Sequence, residues 1–160
     1  MEEAPSTPPL LSRVDNNGDS HRLVSFALYG AKRLYVRGAL ANAKLVPLVY
    51  GEKWSARFYV ADVPDAVVDE LCSLGSQVVR YKTEEPAAGM LLRFLPAGDP
   101  TLEAVVVRDA DSRVNPREAA AVTDWLDSAG GGGELEEASH AFHLMHEGDH
   151  NGDYGPIMVG

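Results

Sequence analysis

Cysteine and positive charge are scarce in this 160-residue chain, and each scarcity excludes a class of protein. Cys72 is the single cysteine, so no internal disulfide can form. Its place on the apolar side of a predicted helix leaves two interpretations, a buried reduced thiol or a catalytic thiol. Lys and Arg total 14 against 24 Asp and Glu, which gives a net charge of −10. Because nucleic-acid binding needs a basic face, the composition argues against it.

Long apolar runs are also missing. No stretch approaches the roughly 18 consecutive apolar residues of a membrane-spanning helix. The amino terminus lacks the basic and then apolar residues of a secretory signal peptide. We therefore predict a cytoplasmic protein with no membrane span, whose length suits one domain with a sizeable core.

The amino-terminal residues 1–20 show little apolar periodicity. They are rich in Pro, Ser, Asn and Asp, which predicts a disordered leader before one domain over 21–160. Asp15, Asn17 and Asp19 are spaced as in a calcium-binding loop, but the turn glycine and the final acidic ligand of such a loop are missing. This stretch is therefore interpreted as a solvated loop.

Apolar patterning predicts alternating strands and helices from residue 23 onward. The predicted strands are 23–28, 56–60, 77–81, 104–107 and 141–145, and the predicted helices are 34–48, 64–74, 116–126 and a short one within 89–97. A flexible loop rich in Gly and Glu is expected at 129–139. The alternation predicts an α/β fold with right-handed crossovers, mainly parallel strands and flanking helices.

An Asp-x-Asp pair follows the apolar run 104–107. Asp109 and Asp111 stand at the predicted carboxyl end of an inner strand, before a helix start at Asn115 and Pro116. Ligands of open α/β sheets bind at that end of the strands. Mg²⁺ and Mn²⁺ prefer oxygen ligands, and Mg²⁺ is typically held by one or two carboxylates and substrate phosphates. The pair therefore predicts a metal-dependent nucleotide diphosphate site, although such carboxylates can also simply cap neighbouring amides.

Two arginines and a group of histidines are further candidates, each with two interpretations. Arg93 either rests its stem on the core with its head at the surface, or donates to phosphate or sugar oxygens. Arg113 either pairs with the two aspartates or contacts the ligand. The tail contains His140, His143, His146 and His150 among Glu147, Asp149 and Asp153. These histidines are either solvated, or one of them completes the coordination begun by Asp111.

Together these motifs resemble a GT-A-type glycosyltransferase domain of the nucleotide-diphospho-sugar transferase superfamily, within a group that shares an Arg-Asp-x-Asp-Ser-Arg signature. The resemblance extends from about Leu23 to Gly160, and its landmarks are 24–30, 57–60, 89–95, 108–113, 118–126 and 142–145. It implies a Rossmann-like GT-A sheet, a nucleoside diphosphate sugar donor and an unidentified glycan or protein acceptor. It also implies a divalent metal cofactor, Mn²⁺ or Mg²⁺.

The resemblance also implies roles for particular residues. Asp109 and Asp111 form the metal and nucleotide-sugar motif, and a carboxy-terminal histidine supplies a third metal ligand. The nucleotide-sugar pocket is assigned to Tyr29, Gly30, Asp62, Arg93, Asp109 and Arg113, and the third ligand to His143, His146 or His150. No catalytic base is identifiable.

The chain departs from this family at its carboxyl end. Residues 146–149 replace the family's Arg-Asp-His-Pro, residues 130–137 are inserted, and the acceptor-binding half is absent from the 160 residues. A donor-binding fragment, a truncated gene product and a diverged binding module all remain open.

Two other functions compete with glycosyl transfer. One is a catalytically silent domain that binds a nucleotide-sugar or a partner protein. The other is a phosphohydrolase of the haloacid-dehalogenase type, with Asp109 as nucleophile and Asp111 as general acid/base. Residues 148–153 match the later Gly-Asp-x-x-x-Asp pattern of that family.

Overall fold

The structure is a computed structural model, and it describes residues 10–14, 21–82, 86–130, 143–146 and 156–159. The strands are β1 (Leu10–Val14), β2 (Arg22–Tyr29), β3 (Trp54–Ala61), β4 (Gln77–Tyr81), β5 (Ala104–Asp109), β6 (His143–His146) and β7 (Pro156–Val159). The helices are α1 (Arg33–Val49), α2 (Asp65–Ser73), α3 (Pro86–Met90), the 3₁₀ helix η1 (Leu91–Gly98) and α4 (Pro116–Gly130).

The strands form one sheet in the order β1-β4-β3-β2-β5-β7-β6. Strands β4, β3, β2 and β5 run parallel, whereas β1, at one side, and β7, at the other, run antiparallel to their neighbours β4 and β5. This arrangement confirms the predicted α/β fold with parallel strands and flanking helices, and it is consistent with a Rossmann-like sheet.

The order of the parallel strands creates a switch point between β2 and β5. From β2 the chain steps outward to β3 and β4, then returns across the sheet to β5 on the other side of β2. Connections leave the two neighbouring carboxyl ends in opposite directions, and a crevice forms at such a point in open α/β sheets. The segments after Tyr29 and after Asp109 therefore flank it.

The two faces of the sheet are covered differently. Alternating residues of β2 and β3 place Phe26 and Phe58 on one face, where their rings stack at 4.8 Å inside the main core under α1, α2 and α4. The opposite face has a smaller cluster around Tyr59 and Tyr81, which packs against Leu92 of η1. η1 therefore covers the face of the sheet opposite to α1.

The amino-terminal segment differs from the predicted disordered leader. Leu10–Val14 form β1, which pairs antiparallel with β4. The pairing supplies partners to backbone groups that β4 would otherwise leave open at the edge of the sheet. The rest of the leader, including the calcium-like spacing at Asp15–Asp19, lies outside the described residues.

The carboxyl end contains a strand that the sequence analysis did not predict. Pro156–Val159 form β7, which inserts between β5 and β6. The predicted strand 141–145 corresponds to β6 at His143–His146. The predicted flexible loop at 129–139 overlaps α4, which ends at Gly130, and its remaining residues lie outside the described ranges. Within those ranges, no helix is long and apolar enough to cross a bilayer.

Candidate functional site

The candidate site is built on the turn between β5 and α4, residues 109–114. Asp109 ends β5, and the main-chain N–H of Ser112 donates to the carbonyl oxygen of Asp109 at 3.3 Å. Asn115 then caps α4, because its side-chain oxygen accepts the N–H of Glu118 at 3.0 Å. The predicted strand end and helix start are confirmed, and they leave this turn at the carboxyl edge of the sheet.

Asn42 of α1 holds the turn through three hydrogen bonds. Its side-chain amide donates to the carbonyl oxygens of Ala110 at 3.2 Å and Ser112 at 2.7 Å. Its side-chain oxygen accepts the N–H of Val114 at 3.1 Å. Asn42 is fully buried, so these bonds are shielded from competing water. One side chain therefore fixes the backbone on both sides of Asp111.

Gly38 lets α1 approach the same turn at main-chain distance. A Cβ atom at this position would lie 2.0 Å from the carbonyl oxygen of Ala110 and 3.0 Å from the Cα of Asp111. Only glycine can occupy so close an approach without displacing the turn. Gly38 and Asn42 lie one helical turn apart on α1 and form a single supporting surface, which we call the α1 support.

A buried polar network lies beside the turn. Arg108 donates to the carbonyl oxygen of Arg113 at 3.1 Å and pairs with the carboxylate of Glu118 at 3.4 Å. The hydroxyl of Tyr50, at the end of α1, donates to the other carboxylate oxygen of Glu118. Burial, and then the adjacent Glu118 charge, raises the pKa of Tyr50 far above its usual value. The network thus ties α1, β5 and α4 together at the base of the turn.

Asp109 forms an ion pair with Arg93 of η1. The Arg93 Nη1 contacts the Asp109 Oδ1, and the two side chains are 18% and 38% exposed. The guanidinium also lies over the ring of Phe94 at 5.4 Å. Its Nε is buried and has no partner among the residues that the structure describes. Arg93 therefore faces the candidate site and not the open surface.

Asp111 has the more accessible carboxylate of the pair. The residue is exposed, and within the described part of the chain its side chain has no hydrogen-bond or ion-pair partner. Arg113 donates from Nη1 to the main-chain oxygen of Asp111 at 3.1 Å. Arg113 was predicted either to pair with the two aspartates or to contact the ligand. In the structure it contacts Asp111, but at the main-chain oxygen and not at the carboxylate.

Tyr29 and Asp62 lie at the carboxyl ends of β2 and β3, next to the switch point. The Tyr29 hydroxyl bonds to the Asp62 carboxylate, and this bond is the main cause that raises the pKa of Tyr29. Asp62 has a φ of 54°, and Gly30 has a φ of 70° and donates its N–H to Ala61 at 2.9 Å. Burial raises the pKa of the neighbouring Tyr81 to about 12, with Tyr29 and Asp62 as further causes. These positions form a polar rim at the strand ends.

The amino end of α1 follows this rim directly. Lys32 precedes the helix without a side-chain cap, and the first turn contains no acidic residue. Both Lys32 and Arg33 are exposed. Open N–H groups, the helix dipole and two cations together favour anions near this end.

Two of the predicted histidine ligands, His143 and His146, stand on β6, which is two strands away from β5. β7 separates β6 from β5, and register places His143 beside Val159, which itself pairs with Val106. His143 is therefore level with the interior of β5, three residues before Asp109. His146 pairs with Pro156, nearer the carboxyl edge of β5. His150, like His140, Glu147, Asp149 and Asp153, lies outside the described residues.

The donor set of the turn suits a hard divalent cation only as part of a larger coordination sphere. Within the described ranges, no group of three or more His, Cys, Asp or Glu side chains is placed to hold a metal ion. Asp109 and Asp111 supply carboxylate oxygens from one turn, and Mg²⁺ is commonly held by one or two carboxylates with phosphate oxygens and water. The two residues fit that mode.

Cys72 lies in α2 and is partly exposed, not fully buried as one interpretation expected. Burial, followed by the charge of Asp69, raises the pKa of its thiol. A nucleophilic cysteine needs the opposite shift, so the environment favours a structural thiol.

Comparison with known proteins assigns no family: no protein-family model matches the chain, and no curated protein matches it.

The supporting residues of the site are the part that sequence reasoning missed. Asn42 and Gly38 were not predicted to reach the turn, and Tyr50 was not predicted to reach Glu118 beside it. A weak signal exists, because Gly and Asn have low helix propensity and both stand within α1. Such residues inside a predicted helix indicate a packing or hydrogen-bonding role.

Proposed function

We propose that the chain binds a nucleoside diphosphate sugar with Mn²⁺ or Mg²⁺, and that it is a GT-A-type glycosyltransferase domain. The observation that carries this proposal is the position of the turn 109–114. It lies at the carboxyl edge of β5, beside the switch point, with the carboxylate of Asp111 exposed. Ligands of open α/β sheets bind at such points.

Each part of the ligand has a chemically matching group in the proposal. Asp111 holds the cation and Asp109 either shares it or accepts ribose hydroxyl groups. Arg93 and Arg113 donate to phosphate oxygens, for which a guanidinium is well suited. Tyr29, Gly30 and Asp62 line the nucleotide pocket at the ends of β2 and β3.

The cation supplies Lewis-acid stabilisation of the diphosphate that departs from the sugar. The protein residues then orient the donor and balance its charge. The α1 support keeps the turn in place. This favours the reaction, because charged groups that are already in position need no reorganisation when the bond breaks. The acceptor is proposed to be a glycan or protein, and the third metal ligand remains a prediction among His143, His146 and His150.

Three assays on one protein preparation test the function. The first measures the melting temperature with UDP- and GDP-sugars, with and without Mn²⁺. The second follows hydrolysis of the same donors, and the third follows release of p-nitrophenol from p-nitrophenyl phosphate. Metal-dependent release of sugar from one donor supports the transferase. A melting shift without turnover supports the silent binding domain, and p-nitrophenol release alone supports the phosphohydrolase.

Asp111→Asn tests the proposed site. We expect it to weaken Mn²⁺-dependent nucleotide-sugar binding by about tenfold or more. Even the loss of a residue that only hydrogen-bonds to a metal ligand typically lowers metal affinity by about tenfold or more. Asp124→Asn is the matched control, because Asp124 is an exposed aspartate on α4 and outside the site. Equal affinity in the Asp111 variant and the wild type would contradict the site.

The phosphohydrolase alternative is less well supported by the geometry. Its proposed nucleophile, Asp109, is paired with Arg93. A guanidinium withdraws electron density from a carboxylate and lowers its nucleophilicity. The later motif of that family, residues 148–153, lies outside the described residues.

A further inference from the structure

The ion pair between Arg93 and Asp109 engages a carboxylate that the proposed function assigns to the cation or the ribose. The Arg93 Nη1 contacts the Asp109 Oδ1 in the protein without ligand. We propose that Arg93 and a divalent cation are alternative counter-ions of Asp109, and that a diphosphate draws the guanidinium away from this carboxylate. This inference rests on the proposed function and concerns how its site admits the cation.

Arg93 has donors left for a second partner. Its Nε is buried without a partner among the described residues, although a guanidinium has five N–H donors in a fixed fork. Two oxygens of a phosphate can accept two of these N–H donors at once. In the present pair, a single oxygen of Asp109 accepts from Arg93. A bound diphosphate therefore offers Arg93 more than the present pair does.

The side chain can change partner without moving its segment. η1 is anchored to the sheet through Leu92 and Pro96, which are both buried. Arg93 itself is 18% exposed, and Asp109 is 38% exposed. Both charged groups are therefore reachable from solvent, whereas the backbone behind Arg93 is fixed by packing.

A cation at Asp109 and a guanidinium at Asp109 oppose each other electrostatically. A divalent cation held by Asp109 would lie within a few ångströms of the guanidinium, and like charges at that separation repel each other. The site therefore disfavours the cation alone and favours it together with an anion that accepts Arg93. Such coupling is reciprocal, so cation and diphosphate each strengthen the binding of the other.

Mn²⁺ binding to Arg93→Gln tests the inference. Mn²⁺ affinity is measured without nucleotide by the loss of the free-ion electron paramagnetic resonance signal, and UDP and GDP affinities are measured by calorimetry at saturating Mn²⁺. We expect Arg93→Gln to bind Mn²⁺ alone about twofold to fivefold more tightly, as expected for a lost ion pair of ordinary strength. It should bind the nucleoside diphosphate about tenfold more weakly, because a charge-assisted phosphate contact is lost.

Three further variants make the result specific. Arg80→Gln removes another arginine of an arginine–aspartate pair, with Asp65 at 2.8 Å, and should leave Mn²⁺ affinity unchanged. In an Asp109→Asn background, Arg93→Gln should tighten Mn²⁺ binding less than it does in the wild type, because the shared carboxylate is gone. Arg93→Lys keeps the charge without the fork and should resemble the wild type for Mn²⁺ alone. Thermal melting of each variant verifies folding.

The outcomes separate this inference from the proposed function. Unchanged or weaker Mn²⁺ binding by Arg93→Gln, or no Mn²⁺ binding by any variant, overturns the inference. So does tighter Mn²⁺ binding with unchanged nucleotide affinity. The proposed function stands, even when the inference fails, if the wild type binds Mn²⁺ and a nucleoside diphosphate. Failure of every nucleotide to bind the wild type overturns the proposed function, and the partner exchange of Arg93 with it.

Discussion

Replacing Asn42 by alanine should loosen the turn 109–114 and destabilise the fold. The substitution removes three hydrogen bonds, of 2.7 to 3.2 Å, from a side chain with 0% exposure. At about 1 kcal/mol for each net hydrogen bond, the free energy of unfolding should fall by about 3 kcal/mol. The backbone groups of Ala110, Ser112 and Val114 lose these partners, and leaving such groups unpaired adds to the loss.

Urea unfolding measures this loss from the shift of the midpoint at constant slope. Thr123→Val is the control, since it also removes a side-chain hydrogen bond from a helix. Thr123 donates to the carbonyl oxygen of Ala119 at 2.9 Å on the exposed side of α4. The control should lose less than about 0.5 kcal/mol.

Asn42→Asp separates hydrogen bonding from packing. The substitution keeps the shape and the acceptor for the Val114 N–H but replaces the two donors to Ala110 and Ser112 by a carboxylate oxygen. Oxygen would then face oxygen, so this variant should be at least as unstable as Asn42→Ala at neutral pH. Wild-type stability of Asn42→Asp, or a loss below about 1 kcal/mol in Asn42→Ala, would refute the reasoning.

Two further predictions concern Tyr50 and Cys72. Tyr50→Phe should lower stability by about 1–3 kcal/mol, because buried Glu118 loses a hydrogen-bond partner. The folded-state pKa of Tyr50 is raised from 10.0, so the stability that Tyr50 contributes is complete below pH 10 and is lost as the pH rises above it. The free energy of unfolding of Tyr50→Phe should therefore fall less steeply with rising alkaline pH than that of the wild type. An unchanged alkaline profile would contradict this. Cys72 should react more slowly with iodoacetamide at pH 8 in the folded protein than in urea, because its pKa is raised; an equal rate would argue against this environment.

The central strands and helices were predictable because their signals are local. The predicted strand 77–81 has the same bounds in the structure, and the predicted helix 34–48 differs from α1 by one residue at each end. β1 and β7 were missed because each is short and is stabilised by pairing with strands far away in the chain. Pairing of this kind leaves little trace in periodicity.

The candidate site divides in the same way. Asp109 and Asp111 were predicted at a carboxyl strand end because strand and helix signals on both sides place them there. The bonds of Asn42 to the turn span 68 to 72 residues along the chain, and they depend on how α1 packs. The pairing of Arg93 with Asp109 depends on η1 crossing to the face opposite α1, which spacing alone does not reveal.

The contact between Gly38 and the turn has a consequence for how the crevice can change shape. Because main chain touches main chain there, helix and loop form one stiff wall, and neither can be displaced without the other. On the facing side η1 is also packed on the sheet through Leu92, but its contact with Asp109 of β5 is a charged side-chain contact that can be remade. Any change in the shape of the crevice is therefore expected at the side chain of Arg93, while the α1 side serves as the fixed reference.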